Sequence, residues 1–342
     1  MAQRFQPAER SEVIITRGLP DVVLPVRAGR EMAAVISQVP VTAVADAVSD
    51  RLGAEVGEVI RLEVPDREAA KTLAVVGDLY NRLAEANLGR HDTVVAVGGG
   101  AVTDLGGFVA ATWVRGVESV LVPTSVLGAV DAAIGGKTGI NHAGKNLVGA
   151  FWHPSRVVVD LDVLEAAPLP LRLEGSAEIV KAGYIGDPEI VRLYRRHGGD
   201  TPLAEVVPRA VAVKVDVVRA DFREGGGRAI LNFGHTIGHG IETLSGMPHG
   251  FAVSIGMAAA GAVSAHRYGF DGGSLTELLF SLGLPVAAGG LSRQAVLDLI
   301  ARDKKRTSAG VRMVLLRGVG DVVVDLVSPA ELDLALAAVG IS

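Results

Sequence analysis

Three histidines that could bind a metal ion or transfer protons lie within 15 residues of one another, at His235, His239 and His249. His235 and His239 are four residues apart, so a helix would place them on one face, one turn apart. Helices use this spacing to present two imidazoles to a metal ion. The alternative is a hydrogen-bonded histidine pair in a packed core, and this stretch alone does not separate the two.

The chain contains no cysteine. Structural zinc sites usually rely on thiolates, so a metal bound here by histidine and carboxylate would favour a catalytic site with an open coordination position. The absence of cysteine also excludes a disulfide framework and is typical of a reducing compartment.

Lysine is scarce: seven of the 33 basic residues are lysines and the other 26 are arginines. An ammonium group is a compact point charge, whereas a guanidinium is a wide planar fork, so the few lysines can mark positions where arginine does not fit. A random scatter is the alternative. Most of them lie beside polar residues in glycine-rich or apolar segments, which favours a site for an anionic small molecule: Lys71, Lys137, Lys145, Lys181, Lys214, Lys304 and Lys305.

Length and composition restrict the class of protein. A chain of 342 residues with 49% hydrophobic residues predicts two domains with sizeable cores. The net charge of −5 argues against nucleic acid or an anionic membrane as the main partner. No apolar run has the length of a membrane span, and the first residues lack an apolar signal core, so we expect a cytoplasmic protein.

The elements that would position these residues change in character near Pro168 and Pro170. Before this point, short apolar runs alternate with amphipathic helices, which predicts an α/β domain over residues 1–168. The strands are predicted in VIIT, DVVLPV, VGEVIRLEVP, DTVVAV and SVLVP. From 169 to 342 the pattern predicts helices, with a possible terminal hairpin in VRMVLLRGVGDVVVDLV.

Two segments of the first half could bind anions. The glycines Gly98–Gly100 join a predicted strand to a helix, where backbone N–H groups can approach a pyrophosphate. The spacing is not GxGxxG, so a purely structural turn is the alternative. Residues 131–151 are rich in glycine and basic residues, which predicts an anion-binding loop or a solvent-exposed one.

Glu178 and Lys181 lie three residues apart on an otherwise apolar helix, and this pair allows two interpretations. Such a pair can form a buried ion pair, which stabilises little because desolvation offsets the attraction. It can also belong to a functional site.

These segments closely resemble the 3-dehydroquinate synthase family, over nearly the whole chain and most densely from 97 to 250. The resemblance rests on polar motifs in register: GGGAVTD at 98–104, RG at 115–116, PTS at 123–125, DAAIGGK at 131–137, GKN at 144–146, AEIVK at 177–181, HG at 249–250 and DKK at 303–305. A long pattern is also matched by Lys214, Glu224, Arg228, Asn232, His235 and His239. The loops at 141–146 and between His239 and His249 are shorter than is usual in the family, and 163–166 lacks its threonines.

The resemblance implies a Rossmann-like nucleotide-binding α/β domain followed by an all-α metal-binding domain, with a site in the cleft between them. It implies cyclisation of 3-deoxy-arabino-heptulosonate 7-phosphate to 3-dehydroquinate with loss of phosphate, in aromatic amino acid biosynthesis. NAD would be recycled, and the enzyme would be a homodimer. One divalent metal, zinc or cobalt, would be bound by Glu178, His235 and His249, whereas spacing alone pairs His235 with His239.

By the same resemblance, the other residues fall into two sets. The cofactor set is Asp66, Glu68, Lys71, Gly98, Gly99, Gly100, Ala101, Val102, Thr103, Asp104, Thr124, Ser125, Lys137, Lys145, Val163, Leu164, Glu165 and Ala166. The catalytic and substrate set is His239 as proton carrier, with Lys181, Asp131, Glu224, Lys137, Asn146, Lys214, Arg228, Asn232, Arg115, Lys304 and Lys305.

Three alternatives remain open. A sugar-phosphate cyclase of secondary metabolism would share the fold and the chemistry, but Lys214, Arg228 and Asn232 favour a substrate with a carboxylate. A metal-dependent alcohol dehydrogenase would release NADH. A non-catalytic metal- or NAD-binding protein would not need both Lys181 and His239.

Overall fold

The chain folds as two units, Met1–Pro168 and Leu169–Ser342. The structure is a computed structural model and describes residues 2–9, 11–223, 225–302, 306–307 and 310–342. Among these residues, no helix combines the length and the apolar character that crossing a bilayer requires.

The first unit contains nine short strands: β1 (Gln3–Ala8), β2 (Ser11–Thr16), β3 (Met32–Ser37), β4 (Glu58–Glu63), β5 (Thr93–Gly98), β6 (Glu118–Pro123), β7 (Lys137–Ile140), β8 (Val148–Phe151) and β9 (Arg156–Asp160), among the residues that the structure describes. Seven of them form one sheet of order β1-β2-β9-β6-β5-β3-β4. In this sheet β1 runs antiparallel to its neighbour, and the other neighbouring pairs are parallel. Strands β7 and β8 form a separate antiparallel pair.

Four helices accompany this sheet: α1 (Thr42–Leu52), α2 (Leu73–Glu85), α3 (Gly100–Thr112) and α4 (Leu161–Ala166). Strands β3, β5 and β9 are buried along their whole length. This explains why they are continuous apolar runs without polar alternation, as in parallel sheets covered on both faces. Val35, Val95 and Val158 pack with Val48 and Leu52 of α1 in one core cluster.

One strand prediction in the first unit was wrong, and one strand was not predicted. The segment 21–26 (DVVLPV) is not a strand, because Glu55 accepts hydrogen bonds from the backbone N–H groups of Val23 and Leu24 at 2.7 and 2.9 Å. Pro25 in this segment has no N–H to donate to a sheet. The strand at this point of the chain is instead β3, which the sequence did not reveal.

The glycine-rich segment 131–151 is also more ordered than a loop. It contains the β7–β8 hairpin, in which Gly139 pairs with Gly149. A Cβ on Gly139 would lie 2.9 Å from the carbonyl oxygen of Val148, and one on Gly149 would overlap the carbonyl oxygen of Thr138. The glycines therefore permit close backbone contact across the hairpin.

The second unit is mainly helical and contains α5 (Leu169–Ile185), α6 (Pro188–His197), α7 (Leu203–Ala220), α8 (His235–Ser245), α9 (His249–Tyr268), α10 (Gly272–Ser281), α11 (Arg293–Arg302) and α12 (Pro329–Ala338). Strands β10 (Arg306–Thr307), β11 (Gly310–Gly318) and β12 (Asp321–Val327) form an antiparallel sheet. The terminal hairpin is thereby confirmed, and the unit is helical with one small sheet rather than helical throughout.

Helix α9 is the central helix of this unit and packs against α5, α8, α10 and α12. Its small residues allow this. A Cβ on Gly250 would overlap the carbonyl oxygen of Glu174 in α5, and a Cβ on Gly256 would overlap that of Gly234, which precedes α8. Helices α5 and α8 therefore approach α9 at backbone distance.

Candidate active site

Three helices of the second unit bring Glu178, His235 and His249 together. Glu178 lies in the middle of α5, whereas His235 and His249 are the first residues of α8 and α9. Oε1 of Glu178 is 3.7 Å from Nε2 of His235 and 3.6 Å from Nε2 of His249. One ligand atom from each residue lies within 4.8 Å of the other two.

The second nitrogen of each imidazole is already engaged. Nδ1–H of His235 donates to the carbonyl oxygen of Phe233 at 3.1 Å, and Nδ1–H of His249 donates to Oε2 of Glu242 at 3.1 Å. In a neutral imidazole this leaves the lone pair on Nε2. When both imidazoles are neutral, as metal binding requires, both lone pairs face the carboxylate oxygen of Glu178.

This donor set fits a divalent cation. Two imidazole nitrogens and a carboxylate oxygen are ligands that zinc accepts, and ligand atoms about 2.0–2.1 Å from a tetrahedral metal lie about 3.3 Å apart. The observed separations of 3.6 and 3.7 Å are close to this value. Metal-bound histidines usually donate their other N–H to a carboxylate or carbonyl, as both do here.

The local electrostatics favour a positive charge between His249 and Glu178, where the metal ion would lie. Burial lowers the pKa of His249, but the hydrogen bonds and negative charges of Glu178 and Glu242 outweigh it and raise the pKa to about 9. The buried carboxylate of Glu178 is also paired with Nζ of Lys181 through Oε2. The two interpretations of Glu178 and Lys181 are therefore compatible, since one carboxylate oxygen forms the ion pair and the other faces the histidines.

His239 lies one turn after His235 on α8, as its spacing predicted. Its ring centroid is 5.1 Å from that of His235 and 6.0 Å from that of His249. It is exposed, whereas His235 is buried. His239 can also be grouped with Glu242 and His249, whose potential ligand atoms lie within 4.8 Å of one another.

Other predicted site residues of this unit lie on the segment Gly227–Asn232 or on a helix packed against it. This segment is a 3₁₀ helix that packs against α5 and α7. It carries Arg228 and Asn232, and Lys214 lies on α7. Arg228 is only 2% exposed, and its Nη1 donates to the carbonyl oxygen of Phe222 at 2.9 Å. The remaining predicted residues, Glu224, Lys304 and Lys305, lie outside the described residues.

In the first unit, the glycines Gly98–Gly100 join the end of β5 to the start of α3, with Gly99 as the N-cap. The end of β6 lies beside them, because Gly98 pairs with Pro123 and the backbone N–H of Thr124 donates to the carbonyl oxygen of Gly98 at 2.9 Å. The following Ser125 accepts from the N–H of Gly128 at 3.1 Å. Predicted cofactor residues from two separate segments thus meet at the carboxyl edge of the sheet, where α/β proteins bind nucleotides.

A polar cluster around Lys71 joins further predicted residues. Nζ of Lys71 donates to Asp104 at 2.7 Å and to Oδ1 of Asn146 at 2.5 Å, and the side chain is 2% exposed. Burial raises the pKa of Asp104 to about 6, although the charge of Lys71 opposes the rise. Glu68 joins the cluster by accepting from Asn141 at 2.6 Å.

The other predicted site residues of the first unit are not gathered in one cluster. Asp66 accepts from Gln38 at 2.6 Å. Arg115, Lys137 and Lys145 are exposed. Within 163–166, Leu164 is in the core and Glu165 is bound by Arg17 at 2.8 Å, so these two side chains are already engaged.

Two residues near the site were not predicted from the sequence. Glu242 lies seven residues after His235 on α8, and this spacing could have placed it on the same face of the helix. The second is Asp221, whose carboxylate accepts from the backbone N–H groups of Gly225, Gly226 and Arg228 at 2.7, 2.8 and 3.0 Å. These hydrogen bonds lower the pKa of Asp221 and shape the turn that leads to Arg228.

Comparison with known proteins identifies the family. Residues 61–172 match the model described as 3-dehydroquinate synthase N-terminal, and residues 175–306 match that described as 3-dehydroquinate synthase C-terminal. The chain belongs to the 3-dehydroquinate synthase family. A family member named 3-dehydroquinate synthase from Thermobifida fusca (strain YX) is 47% identical over 82% of this chain and 79% of its own. Another, from Corynebacterium efficiens, is 43% identical over 91% of this chain and 90% of its own.

Solved structures of cyclases share the fold of this family member. A 2-epi-5-epi-valiolone synthase from Streptomyces hygroscopicus subsp. jinggangensis 5008, with NAD+ and Zn2+ bound, has a TM-score of 0.86 and 25% identity, covering 96% of both chains. A 2-deoxy-scyllo-inosose synthase complexed with carbaglucose-6-phosphate, NAD+ and Co2+ also has a TM-score of 0.86, at 24% identity over 98% of this chain and 99% of its own. The fold expectation, a nucleotide-binding-type α/β unit followed by a helical unit, is confirmed.

Proposed function

We propose that the protein catalyses the cyclisation of 3-deoxy-arabino-heptulosonate 7-phosphate to 3-dehydroquinate, with release of inorganic phosphate and with NAD and one divalent metal as cofactors. The observation that carries this proposal is the convergence of Glu178, His235 and His249 in a chain of this family. The relatives of that name support the reaction. We also propose a homodimer in the cytoplasm, in aromatic amino acid biosynthesis.

The first unit would bind NAD at the Gly98–Gly100 turn and the start of α3, where backbone N–H groups suit a pyrophosphate. The second unit would bind zinc or cobalt through Glu178, His235 and His249. When bound, NAD would accept and return one hydride, and the metal would polarise the oxygen on the carbon that is oxidised. Three protein ligands would leave coordination positions for substrate oxygens.

The other residues would bind and orient the substrate. Lys214, Arg228 and Asn232 suit its carboxylate, because a guanidinium can bind a carboxylate bidentately. The phosphate would be bound by Lys137, Asn146, Arg115 and a lysine of the 304–305 pair. Since Oδ1 of Asn146 already accepts from Lys71, its amide NH2 would be the donor to the substrate.

Proton transfer is assigned to His239, because an imidazole titrates near neutral pH and this one is exposed beside the cluster. Lys181 would hold the Glu178 carboxylate in place through their ion pair. Asp131 and Glu224 would orient substrate hydroxyls.

The test is an assay of phosphate release with purified protein, the heptulosonate phosphate, zinc and a catalytic amount of NAD. We expect phosphate release that continues beyond the amount of NAD added, with no accumulation of NADH. NADH that builds up in step with product would identify a dehydrogenase instead. Phosphate release from glucose 6-phosphate, but not from the heptulosonate phosphate, would identify a cyclase for substrates without a carboxylate.

A further inference from the structure

The short connection between α8 and α9 places a carboxylate behind one of the proposed metal ligands. Helix α8 ends at Ser245, and α9 begins at His249 after three residues. Glu242, in the last turn of α8, thereby reaches back to His249, and its Oε2 lies 3.1 Å from Nδ1. The Glu242 side chain is 14% exposed, so this contact is largely shielded from water.

We infer that Glu242 is a positioning residue for the metal site, which orients His249 and holds its proton on Nδ1. This inference rests on the proposed function, because it assumes that His249 is a metal ligand. His249 is the first residue of its helix, so no preceding helical turn restricts its side chain. The hydrogen bond to Glu242 supplies that restriction and keeps Nε2 directed at Glu178.

The two histidines differ in how their orientation is maintained. His235 donates to a backbone carbonyl, that of Phe233, which no side-chain substitution removes. His249 donates to a carboxylate, which additionally makes the imidazole a stronger electron donor to a metal. Because Lys181 already neutralises the charge of Glu178, the charge of Glu242 adds to the attraction for a dication.

A second metal ion on His239, Glu242 and His249 is the competing interpretation, since their ligand atoms lie within 4.8 Å of one another. The hydrogen bond opposes it. While Nδ1 of His249 carries the proton donated to Glu242, it has no lone pair for a metal. One imidazole would have to lose both protons to bind two ions, so we expect one metal ion per chain.

The test is metal affinity, measured by competition with a chelator for wild type, Glu242→Gln and Glu242→Ala. We expect Glu242→Ala to bind Zn2+ about 10- to 100-fold more weakly, as for other residues that support metal ligands. Glu242→Gln should fall in between, because an amide oxygen still accepts from Nδ1–H but carries no charge. Glu277→Gln, an exposed carboxylate change on α10, is the control and should bind as wild type does.

A spectroscopic measurement separates orientation from general damage to the fold. In nitrogen-detected NMR of the zinc-bound protein, His249 should have its proton on Nδ1 in wild type and in Glu242→Gln, while Glu242→Ala should show exchange broadening of this signal. Should Glu242→Ala not fold, the affinity of Glu242→Gln decides the question.

The outcomes also separate this inference from the proposed function. Failure of wild type to bind any metal would overturn both. Metal binding by wild type, with equal affinity in both folded Glu242 variants, would overturn the inference alone. Two metal ions bound to wild type, one of which is lost in Glu242→Gln, would overturn it in favour of the second metal site.

Discussion

At the residue scale, the candidate metal site depends on which nitrogen of each histidine is protonated. Both proposed ligand histidines, His235 and His249, use Nδ1–H as a donor, to Phe233 and Glu242, and both Nε2 atoms face Glu178. His239 is close to the cluster but faces solvent. Two of the three neighbouring imidazoles can therefore bind a metal ion, while the third can transfer protons.

We predict that His249→Ala loses the bound metal and the activity, because it removes one of the three proposed ligands. His239→Ala should keep the metal and lose about 10²- to 10⁴-fold in kcat, the range for loss of a general acid or base. Metal content by mass spectrometry and kcat at matched NAD concentration provide the comparison. Full metal content in His249→Ala together with metal loss in His239→Ala would instead support the pair spaced by four residues.

At the element scale, the glycines of α9 determine how closely its neighbours approach. Gly256 lies against the backbone of Gly234, which adopts a left-handed conformation (φ +81°) immediately before His235. Any side chain at Gly256 would push α8 and its histidine away from α9.

We predict that Gly256→Ala lowers the free energy of unfolding by about 1–3 kcal/mol or more, the usual cost of overpacking, and weakens zinc binding. Gly77→Ala in α2 is the matched control, because a Cβ there meets no atom within 4 Å. The free energy of unfolding of Gly77→Ala should exceed that of wild type by about 0.5–1 kcal/mol, since alanine is the better helix former. Denaturant titrations of both variants measure this difference in stability. Equal changes in the free energy of unfolding would contradict the inference that Gly256 is needed for the close packing of α8 against α9.

An ion pair connects the C-terminal end of α9 with the start of α12. Nε and Nη2 of Arg267 donate to the two oxygens of Glu331 at 2.7 and 2.5 Å. Glu331 also accepts from the backbone N–H of Ser328 in a capping box. The hydrogen bonds from Arg267 are the main cause that lowers the pKa of Glu331 from its ordinary value of 4.5 to about 2.

We predict that the stability contributed by Glu331 depends on pH. Because its pKa is lower in the folded state, the contribution is complete above about pH 4.5 and is lost as the pH falls towards 2. At neutral pH, Glu331→Gln should therefore unfold more easily by about 1–3 kcal/mol. The difference from wild type should shrink on acidification. A double-mutant cycle with Arg267→Met, measured at pH values across this range, tests this, and a coupling energy independent of pH would refute it.

At the scale of the whole molecule, the two units have different architectures. The first is a mostly parallel sheet with nucleotide-type turns at its carboxyl edge, and the second is a set of helices around α9. All three proposed metal ligands belong to the second unit, on α5, α8 and α9. The proposed NAD turn belongs to the first.

We predict that zinc slows amide hydrogen exchange in α5, α8 and α9 and leaves β3 and β5 unchanged. A ligand at about 100 times its Kd stabilises the state that binds it by about 2.7 kcal/mol. We expect this stabilisation to be largest in the helices that carry the proposed ligand atoms. Exchange measured by mass spectrometry with and without zinc would contradict the assignment if protection rose only in the sheet.

Local patterns in the sequence were enough to predict the architecture of the first unit and the family of the protein. The alternation of short apolar runs with amphipathic segments predicted the α/β unit, and the motifs identified the family, because such patterns are local and survive in the linear chain. Periodicity did not distinguish DVVLPV from the true strand β3, since both are short apolar runs. Only pairing of β3 with β4 and β5 decided which run joined the sheet.

The site itself was decided partly by tertiary structure. The spacing of His235 and His239 follows from helix geometry alone. Glu178 and His249 are far from each other along the chain, and their approach to His235 depends on how closely α5 and α8 pack against the glycines of α9. The role of Glu242 also required the three-dimensional structure, because only the turn between α8 and α9 brings its carboxylate back onto His249. Local patterns specify helices and motifs, whereas long-range packing specifies which side chains meet.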